Sequence, residues 1–289
     1  MESVSVVIPT RNRPEKLRRC LTALAEAREL TSFETHVCDS SDAASVCEEV
    51  RKVCGEFEFV HYHWHAGKSA SAARNFCARV ATTELLVSVD DDVYVRPDAI
   101  LRLLEACQRG RGWRVVGGSV NWSGKWLGPV VTRADGGRKA HPGEPASFLI
   151  SAFFLYPRAL ALALPWNPRL SRSDDAFMGA LWRSKGVVLL FEPQAQAVHD
   201  EQQHERKVEY VEFRTYAMLF DTLLANRNLP KALAYELFVL AIGAKRYVRR
   251  PKRARTYLAA WYRGHRALVS DWHYLRALVR QPLPGDGQR

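Results

Sequence analysis

Hydrophobic positions in the first hundred residues follow two alternating spacings, and this alternation predicts repeated strand–helix units. The run Val4–Ile8 is rich in β-branched residues and predicts a strand, and from Pro14 apolar residues recur at the spacing of a helix. Proline is favoured in a first helical turn, so we expect the helix to begin there. The alternation continues with strands at 35–38, 58–62 and 85–89 and helices at 43–54 and within 67–81. It predicts an α/β fold with a mostly parallel central sheet and helices on both faces.

Polar residues that could bind a ligand follow three of these strands. Thr10 follows the first strand, Asp39 the second, and the triplet Asp90-Asp91-Asp92 the fourth. Ligands of such sheets bind beyond the carboxyl ends of the strands, so we expect the three loops to share one pocket. Three successive carboxylates repel one another unless a cation lies between them. The triplet is therefore either a divalent-metal site or a solvated acidic turn.

The composition narrows the class of protein. With 289 residues, 47% of them hydrophobic, the chain can bury the core of one large or two modest domains. It has no apolar run long enough to span a bilayer, and its first strand begins too early for a signal peptide. Six cysteines without a CxxC pair are typical of a reduced, cytoplasmic protein. The net charge of +11 suits an acidic partner, but no zinc spacing or helix-turn-helix signature favours nucleic acid.

From about residue 205 the pattern becomes wholly helical, which predicts a C-terminal helical extension over 205–289. Seven of the eleven residues from Lys245 to Arg255 are lysine or arginine. A basic amphipathic helix beside an α/β domain lies on an anionic membrane surface, docks an acidic protein, or packs back on the domain with its charges in solvent. The apolar positions that share one helical face are Leu233, Leu237, Leu240, Ala244 and Val248.

Five motifs in chain order resemble those of family-2 glycosyltransferases of the GT-A fold. The motifs are Val4–Arg13, Asp39–Asp42, Ser71–Asn75, Asp90–Asp92, and the series Asp174-Asp175, Gly186, Pro193 and His199. The series departs from the family's Glu-Asp pair in having Asp174 as its first acid. The resemblance covers about residues 3–200. It implies a catalytic domain over 1–204, with a nucleotide-binding half at 1–115 and an acceptor and base half at 116–204.

The resemblance assigns the donor nucleotide to the loops after the first strands. Asp39 matches the residue that accepts a hydrogen bond from a uracil ring, although an aspartate at this point also starts turns. UDP is therefore the expected nucleotide, and dTDP fits as well because thymine has the same imide. The resemblance places Asp90 and Asp91 toward the ribose or the sugar. The remaining residues implied at the nucleotide are Pro9, Thr10, Arg11, Arg13 and Arg74.

A divalent metal, Mn²⁺ or Mg²⁺, is implied beside the diphosphate of the donor. Asp92 matches the acid that contacts the metal in the family, and His199 matches the position that often completes the metal shell. Hard cations prefer oxygen ligands, and an imidazole favours Mn²⁺ over Mg²⁺. The alternative for His199 is a loop histidine that is hydrogen-bonded to the backbone.

Asp175 matches the general base of the family. An acceptor hydroxyl is a poor nucleophile, so a carboxylate must take its proton as the new bond forms. Asp175 lies at the start of a predicted helix over Asp174–Ser184, where the partial positive charge of the helix N-terminus favours an anion. In the alternative interpretation Ser173 and Asp174 simply cap the helix. Two successive acids allow both roles, so Asp174 is assigned to the same pocket as Asp175.

The acceptor side is expected to contain a long glycine-rich loop over 117–147 that orders over the bound donor. The apolar run 147–156 matches the strand that precedes the base, with Ser151 where the family tends to have glycine. The glycines of the loop include Gly117, Gly118, Gly136, Gly137 and Gly143. The tryptophans that either stack on a sugar or an aromatic acceptor, or else belong to the core, are Trp122, Trp126 and Trp166.

The resemblance implies an inverting, metal-dependent transfer of a sugar from a UDP-sugar or dTDP-sugar to an acceptor hydroxyl or amine. The expected acceptor is a small natural-product scaffold, free or held on an acidic carrier protein, or a lipid-linked glycan. We expect the protein in the cytoplasm, either free or peripheral at the inner face of the membrane. The alternatives are an inactive nucleotide-sugar-binding protein and a nucleotidyltransferase of similar fold. The latter usually has a glycine-rich first loop, which Pro9–Arg13 lacks.

Overall fold

The computed structural model describes residues 3–110, 112–131, 138–142, 144–170, 173–200, 210–247 and 251–284. Through the first hundred residues strands and helices alternate as the sequence predicts. The strands are β1 (Val4–Thr10), β2 (Glu34–Asp39), β3 (Val60–Trp64), β4 (Leu85–Val89), β5 (Val93–Val95), β6 (Arg114–Trp122), β7 (Lys125–Leu127), β8 (Val130–Val131), β9 (Arg138–Lys139), β10 (Phe153–Pro157) and β11 (Val188–His199). The helices are α1 (Pro14–Ala27), α2 (Ala44–Gly55), α3 (Ala70–Val80), α4 (Ala99–Gln108), α5 (Arg158–Ala163), α6 (Asp174–Ser184), α7 (Tyr210–Leu219), α8 (Leu229–Tyr247), α9 (Pro251–Ser270) and α10 (Trp272–Arg280), with a π-helical turn at Phe220–Ala225.

The main sheet has the strand order β3-β2-β1-β4-β10-β6-β11-β5, with β7 paired to β6. Strands β3, β2, β1 and β4 pair in parallel, in agreement with the expected strand–helix–strand units. Strand β10 pairs antiparallel with both β4 and β6, so the second half of the sheet is mixed rather than mostly parallel. Parallel pairing needs a crossover of about a dozen or more residues, usually a helix. Helices α1, α2 and α3 supply these crossovers between β1, β2, β3 and β4, whereas β10 joins β4 in the antiparallel sense.

Both faces of the sheet carry an apolar core. Side chains alternate between the faces along a strand, so Val6 and Ile8 of β1 point to one core and Val7 to the other. On the first face Leu17 and Leu21 of α1 pack beside α2 and α4. On the second face α3, α5, α6 and the C-terminal helices cover the sheet. Burial of each aliphatic side chain stabilises the fold by about 1.5–3 kcal/mol. The two layers therefore hold in place the strands whose ends carry the polar loops.

Among its described residues, the glycine-rich stretch that was expected to be one long loop is about half strand. Strand β6 includes Gly117 and Gly118. Glycine within a strand allows a neighbouring element to approach closely. A Cβ atom on Gly118 would lie 2.4 Å from a ring carbon of Phe153 in β10, so packing rather than loop flexibility requires this glycine. Strands β7, β8 and β9 follow. Gly136, Gly137 and Gly143 lie outside the described residues.

The strand expected at 147–156 is shorter than the pattern predicts, because β10 begins at Phe153. The amide of Phe148 donates to the carbonyl of Val130 at 3.2 Å, which draws the preceding segment away from the main sheet. The carbonyl of Ala152 then accepts a hydrogen bond from the amide of the first acid of the triplet at 3.1 Å. The irregular segment before β10 therefore borders the acid triplet.

Helices α7–α10 follow the sheet as a helical C-terminal region, as the sequence predicts. Phe177 of α6 stacks on Phe220 of the π-helical turn with ring centroids 4.2 Å apart, and Leu275 and Leu278 of α10 join the same core. This region therefore packs on the part of the sheet domain that carries α6. Val248 lies outside the described residues, and the boundaries 1–204 and 205–289 stay predictions. Within the described ranges, no helix combines the length and the apolar character needed to cross a bilayer.

Candidate active site

The loops after β1, β2 and β4 and the start of α3 enclose a cavity of about 210 Å³. Its wall includes the cationic side chains of Arg11, Arg13 and Lys68. Arg11 and Lys68 both pair with Asp42, at 2.9 and 2.6 Å, and Arg13 pairs with the acid triplet, so a bound anion would share these cations with carboxylates. The three loops meet at one edge of the sheet, as the sequence predicts. The predicted nucleotide residues that line the cavity are Pro9, Thr10, Arg11, Arg13 and Asp90.

The middle acid of the triplet is an anchor for its loop. Asp91 is fully buried, Thr10 Oγ1 donates to its Oδ2 at 2.7 Å, and Arg13 Nη2 lies 2.7 Å from its Oδ1. Burial raises the pKa of Asp91 to about 7, against the opposing effect of the Arg13 charge. The carboxylate faces β1 and α1 and is held by contacts within the protein, and its contact with the ribose or sugar stays a prediction. Of the two acids expected there, Asp90 is the one that borders the cavity.

Asp92 and His199 lie side by side at the edge of the sheet. His199 Nε2 is 3.7 Å from Asp92 Oδ1, because β11 pairs with β5 and places His199 opposite Val93. The imidazole also stacks on the indole of Trp122, with ring centroids 4.2 Å apart and planes 11° from parallel. This stacking fixes the orientation of the imidazole, and it covers one face of the Trp122 indole with a side chain of the protein.

Asp92 also faces two cationic side chains from the start of α1. Arg13 Nη1 lies 2.7 Å and Lys16 Nζ 3.7 Å from Asp92 Oδ2. The backbone amides of the helix N-terminus add a partial positive charge at the same place. Sequence reasoning missed Lys16, because its approach to Asp92 depends on how α1 packs against the sheet.

The side chains at Asp92 fit the divalent metal that the sequence implies. A carboxylate oxygen beside an imidazole nitrogen suits Mn²⁺. Among the residues that the structure describes, no group of three metal-binding side chains could enclose an ion by itself. The remaining ligands would therefore be oxygens of a bound diphosphate or of water.

A buried arginine connects the acid triplet with the acidic start of α6. Arg74 of α3 has its Nη2 2.7 Å from Asp90 Oδ1 and its Nη1 3.1 Å from Asp174 Oδ2. Its Nε donates to Ser88 Oγ at 3.0 Å, and its Nη2 donates to the Ser151 carbonyl at 3.3 Å. A buried guanidinium is costly unless it is paired and hydrogen-bonded. Arg74 therefore holds two carboxylates in place, and Ser151 contributes its backbone to the same network. The expected contact of Arg74 with the nucleotide stays a prediction.

The two acids at the start of α6 have different surroundings. Asp174 pairs with Arg74, and its Oδ1 accepts a hydrogen bond from the Asp175 amide at 3.0 Å. Asp175 Oδ1 accepts one from the Ala176 amide at 2.7 Å, whereas Ser173 makes no side-chain cap bond. Burial raises the pKa of Asp175 to about 7, and the negative charge of Asp174 is the second cause of this shift. A carboxylate poised near neutrality is suited to general base catalysis.

Residues 5–161, more than half of the chain, match the model of glycosyl transferase family 2. The chain belongs to glycosyl transferase family 2. Its structure is similar to the mannosyltransferase PcManGT from Pyrobaculum calidifontis in complex with GDP-Man and Mn2+, with a TM-score of 0.57 and 15% identity over 96% of this chain and 85% of that chain. This likeness shows the GT-A fold with a C-terminal helical region. No match is found among curated proteins.

In this family-2 glycosyltransferase, the aspartate expected at the nucleotide base is buried in its own turn. Asp39 Oδ1 accepts hydrogen bonds from the Ser41 amide at 2.8 Å and the Ser41 hydroxyl at 2.5 Å. Its Oδ2 accepts one from the Tyr62 hydroxyl at 3.1 Å, and Ser40 rather than Asp39 lines the cavity. The geometry therefore favours the turn-forming role of Asp39, and its contact with a uracil ring stays a prediction.

The tryptophans proposed to stack on a ligand differ in their surroundings. Trp166 is 2% exposed and packs edge to face against Trp182, which favours the core over the ligand-stacking alternative for this residue. Its flat ring also lies 5.0 Å from the guanidinium carbon of Arg74. Trp126 of β7 is 37% exposed, and the Arg96 guanidinium lies 5.9 Å from its ring centroid. Of the three candidates, Trp126 has the largest surface open to a ligand.

The glycosyltransferase site also includes Asp200, which sequence reasoning missed. Its amide donates to the Asp92 carbonyl at 2.8 Å, and its Oδ2 accepts a hydrogen bond from the Tyr94 hydroxyl at 2.8 Å. These bonds hold the end of β11 against the loop that contains Asp92. Asp200 therefore positions His199, and its one signal in the sequence is that it directly follows that histidine.

Proposed function

We propose that this glycosyltransferase moves a sugar from a UDP-sugar or dTDP-sugar to a hydroxyl or amine of an acceptor, with inversion at the anomeric carbon. The observation that carries the proposal is the buried bridge from Asp90 through Arg74 to Asp174. It ties the cavity to the first turn of α6, which contains Asp175, the acid with the raised pKa. The similar mannosyltransferase was solved with GDP-Man and Mn2+, which supports a sugar nucleotide as donor and a divalent metal as cofactor.

The donor diphosphate is expected in the cavity after β1, β2 and β4. Arg11, Arg13 and Lys68 bring positive charge to the wall of this cavity, and the N-terminus of α1 adds more. Arg13 already lies at the edge of the acid triplet, where oxygens of the diphosphate would approach. A divalent metal held by Asp92 and His199 would stabilise the negative charge that develops on the departing diphosphate.

Asp175 acts as the base in this proposal. The acceptor oxygen attacks the anomeric carbon from the face opposite the nucleotide, the bond from that carbon to the diphosphate oxygen breaks, and the proton of the acceptor passes to Asp175. Attack from the opposite face inverts the configuration. Asp174 remains paired with Arg74, and its negative charge helps to keep Asp175 basic at neutral pH.

The proposed acceptor is a small natural-product scaffold, free or on an acidic carrier protein, or a lipid-linked glycan, and the proposed location is the cytoplasm. The net charge of +11 favours acceptors that carry negative charge or are presented on an acidic partner. Membership of the family favours sugar transfer over both an inactive binding protein and a nucleotidyltransferase.

A donor screen tests the proposal. The protein is incubated with UDP-, dTDP- and GDP-sugars in Mn²⁺, Mg²⁺ or EDTA, and mass spectrometry follows nucleotide release and sugar transfer. We expect turnover of a UDP-sugar or dTDP-sugar with Mn²⁺ and its loss in EDTA. Turnover of GDP-sugars alone would refute the proposed uracil or thymine nucleotide. Retained anomeric configuration in the NMR spectrum of the product would refute inversion. UDP binding without turnover of any donor would overturn the reaction itself.

A further inference from the structure

An unusual apolar surface runs along the outer side of α8. Four leucines recur at intervals of three or four residues, which places them on one face of the helix. This face is turned to solvent, whereas the buried positions of the same helix are Ala232, Tyr235 and Val239. The exposed residues are Leu229 at 64%, Leu233 at 67%, Leu237 at 69% and Leu240 at 40%.

Helix α9 contributes a second exposed apolar row. Its buried positions are Tyr257, Ala260 and Leu268, so the row lies on another side of the helix. Single exposed apolar residues are ordinary, but contiguous rows of them mark interaction surfaces. The exposed residues are Leu258 at 47%, Tyr262 at 62% and Val269 at 71%.

The two rows form one surface, because α8 and α9 pack antiparallel. The Tyr257 hydroxyl donates to the Val239 carbonyl at 2.8 Å, and Trp261 Nε1 donates to Glu236 Oε2 at 2.7 Å. At helical spacing, Glu236 stands between the buried and the leucine faces of α8, and Trp261 stands between the corresponding faces of α9. The exposed rows therefore flank this seam on the side away from the core. We name this surface the outer face of the α8–α9 pair.

Positive charge lies at one end of the outer face. Between Glu236 and Asp271 the sequence has nine lysines and arginines and no acidic residue. The antiparallel packing brings the end of α8 next to the start of α9, so Lys245 of α8 lies at the same end of the pair as Lys252, Arg253 and Arg255 of α9. Arg266 also lies on the exposed side of α9. The described side chains of the cluster, all exposed, are Lys245, Lys252, Arg253 and Arg255.

We propose that the outer face of the α8–α9 pair rests on an anionic lipid surface. Leucine and tyrosine side chains would enter the boundary between headgroups and acyl chains, while the long basic side chains reach the lipid phosphates. A second copy of this chain fits poorly, because it would bring the same positive charge to the contact. The apolar side chains stand outward instead of lining a groove, which suits fluid lipid better than a folded acidic protein. The inference goes beyond the proposed sugar transfer and does not depend on it.

Vesicle flotation of the full-length protein tests this inference. The protein is mixed with phosphatidylcholine vesicles or with vesicles that also contain phosphatidylglycerol, and the floating fraction is measured. We expect flotation with the anionic vesicles and not with the neutral ones. The double variant L233Q/L237Q should bind the anionic vesicles at least about tenfold more weakly. The matched control L30Q/L162Q changes two exposed leucines elsewhere and should float like the unmodified protein.

The basic residues are tested in the same assay. Each lysine or arginine near an anionic surface contributes about fivefold in affinity. The variant R255Q/R266Q removes two exposed arginines on the side of α9 that carries Leu258 and Tyr262, so it should bind about thirtyfold more weakly. The control R51Q/R109Q removes two exposed arginines elsewhere and should have little effect beyond the change in net charge. Raising the salt concentration should weaken binding of the unmodified protein, because the attraction is screened. The thermal melt of each variant shows whether it is folded.

Three outcomes would overturn the inference. One is failure of the unmodified protein to float with anionic vesicles. Another is flotation that neither double variant on the outer face reduces relative to its control. The third is that the unmodified protein does not float but instead binds polyglutamate tightly or self-associates on a sizing column, and that L233Q/L237Q abolishes this binding or self-association. Asp175→Asn should float normally, so loss of transfer and loss of membrane binding are distinguishable.

Discussion

The two acid pairs of the site are alike in sequence and differ in their neighbours. Asp91-Asp92 follows β4, and Asp174-Asp175 begins α6. In each pair the first acid is held by protein groups, and the second is proposed to act in the chemistry. Asp92 contacts cationic side chains at the start of α1, whereas within the described part of the chain no cation lies at ion-pair distance from Asp175.

The difference shows how neighbours decide the role of a carboxylate. Asp92 lies 3.7 Å from the imidazole of His199, and a carboxylate oxygen beside an imidazole nitrogen suits a metal ion. Burial beside a second carboxylate favours the protonated form, so Asp175 retains affinity for a proton at neutral pH. Substitutions within and around the two pairs should therefore have separable effects on the chemical step, on folding and on nucleotide binding.

Asp175→Asn should produce the largest effect. Loss of the base is expected to lower kcat by about 10³-fold, because general base catalysis typically contributes 10²–10⁴-fold. Affinity for UDP in the presence of Mn²⁺, measured by calorimetry, should stay unchanged. Asp98→Asn removes an acid that pairs with Arg102 on α4 and provides a control with normal kcat. A parallel loss of UDP affinity in Asp175→Asn would place this residue at the donor and remove the contrast between the two pairs.

Arg74→Met should lower the free energy of unfolding by about 3–5 kcal/mol, because it leaves the carboxylates of Asp90 and Asp174 without their shared partner. Chemical denaturation measures this change. Arg79→Met, on the same helix but exposed, should change stability by less than about 0.5 kcal/mol. Arg74→Lys keeps the charge but not the forked donor geometry and should fall between the two. Equal stability of Arg74→Met and the unmodified protein would contradict the bridge.

Asp92→Asn should weaken UDP binding at least about tenfold in Mn²⁺, by analogy with the cost of disturbing a metal site. In EDTA the same substitution should have a much smaller effect, because the cationic wall of the cavity is intact. Titration calorimetry with and without the metal measures both. Equal losses in the two conditions would mean that Asp92 serves to hold Arg13 and not a metal.

The raised pKa of Asp175 predicts two smaller effects of pH. The transfer rate should rise as pH increases toward about 7 and level off above it, because the base must be ionised. The pKa of Asp175 in the folded state lies above its ordinary value near 4, so the folded protein binds the proton more tightly than the unfolded chain does. Protonation of Asp175 therefore adds to the free energy of unfolding at low pH, and this contribution is lost as pH rises through about 7. The melting temperature of Asp175→Asn, relative to that of the unmodified protein, should therefore be higher at pH 8 than at pH 5. A constant difference would show that the pKa of Asp175 is not raised.

Local patterns predicted the parts of the fold that depend on neighbours in sequence. Helix α1 begins at Pro14 and helix α6 spans Asp174–Ser184 as expected, because start signals and apolar spacing are local properties. The convergence of the strand-end loops was also predicted, since it follows from the strand–helix alternation. Gly117 and Gly118 were misinterpreted because close packing against another strand and loop formation both favour glycine.

Contacts between distant parts of the chain could not be predicted in this way. The hydrogen bond from Tyr62 to Asp39 joins two neighbouring strands, and the burial of Trp166 depends on Trp182 in a later helix. The approach of Lys16 to the triplet depends on the rotation of α1 about its axis. Motif spacing identifies which residue types are present, but it does not say whether a side chain meets a ligand or another part of the protein.

The Arg74 bridge also bears on the order in which the enzyme is assembled. One of its carboxylate partners lies 16 residues away along the chain and the other 100. Closing the longer loop costs chain entropy that is recovered only when both halves have folded together. A fragment that ends near residue 115 would contain the cavity wall but lack the base and the acid that completes the bridge. We therefore expect activity to appear in the same cooperative step as the whole fold, with no partly folded form able to transfer or hydrolyse a sugar.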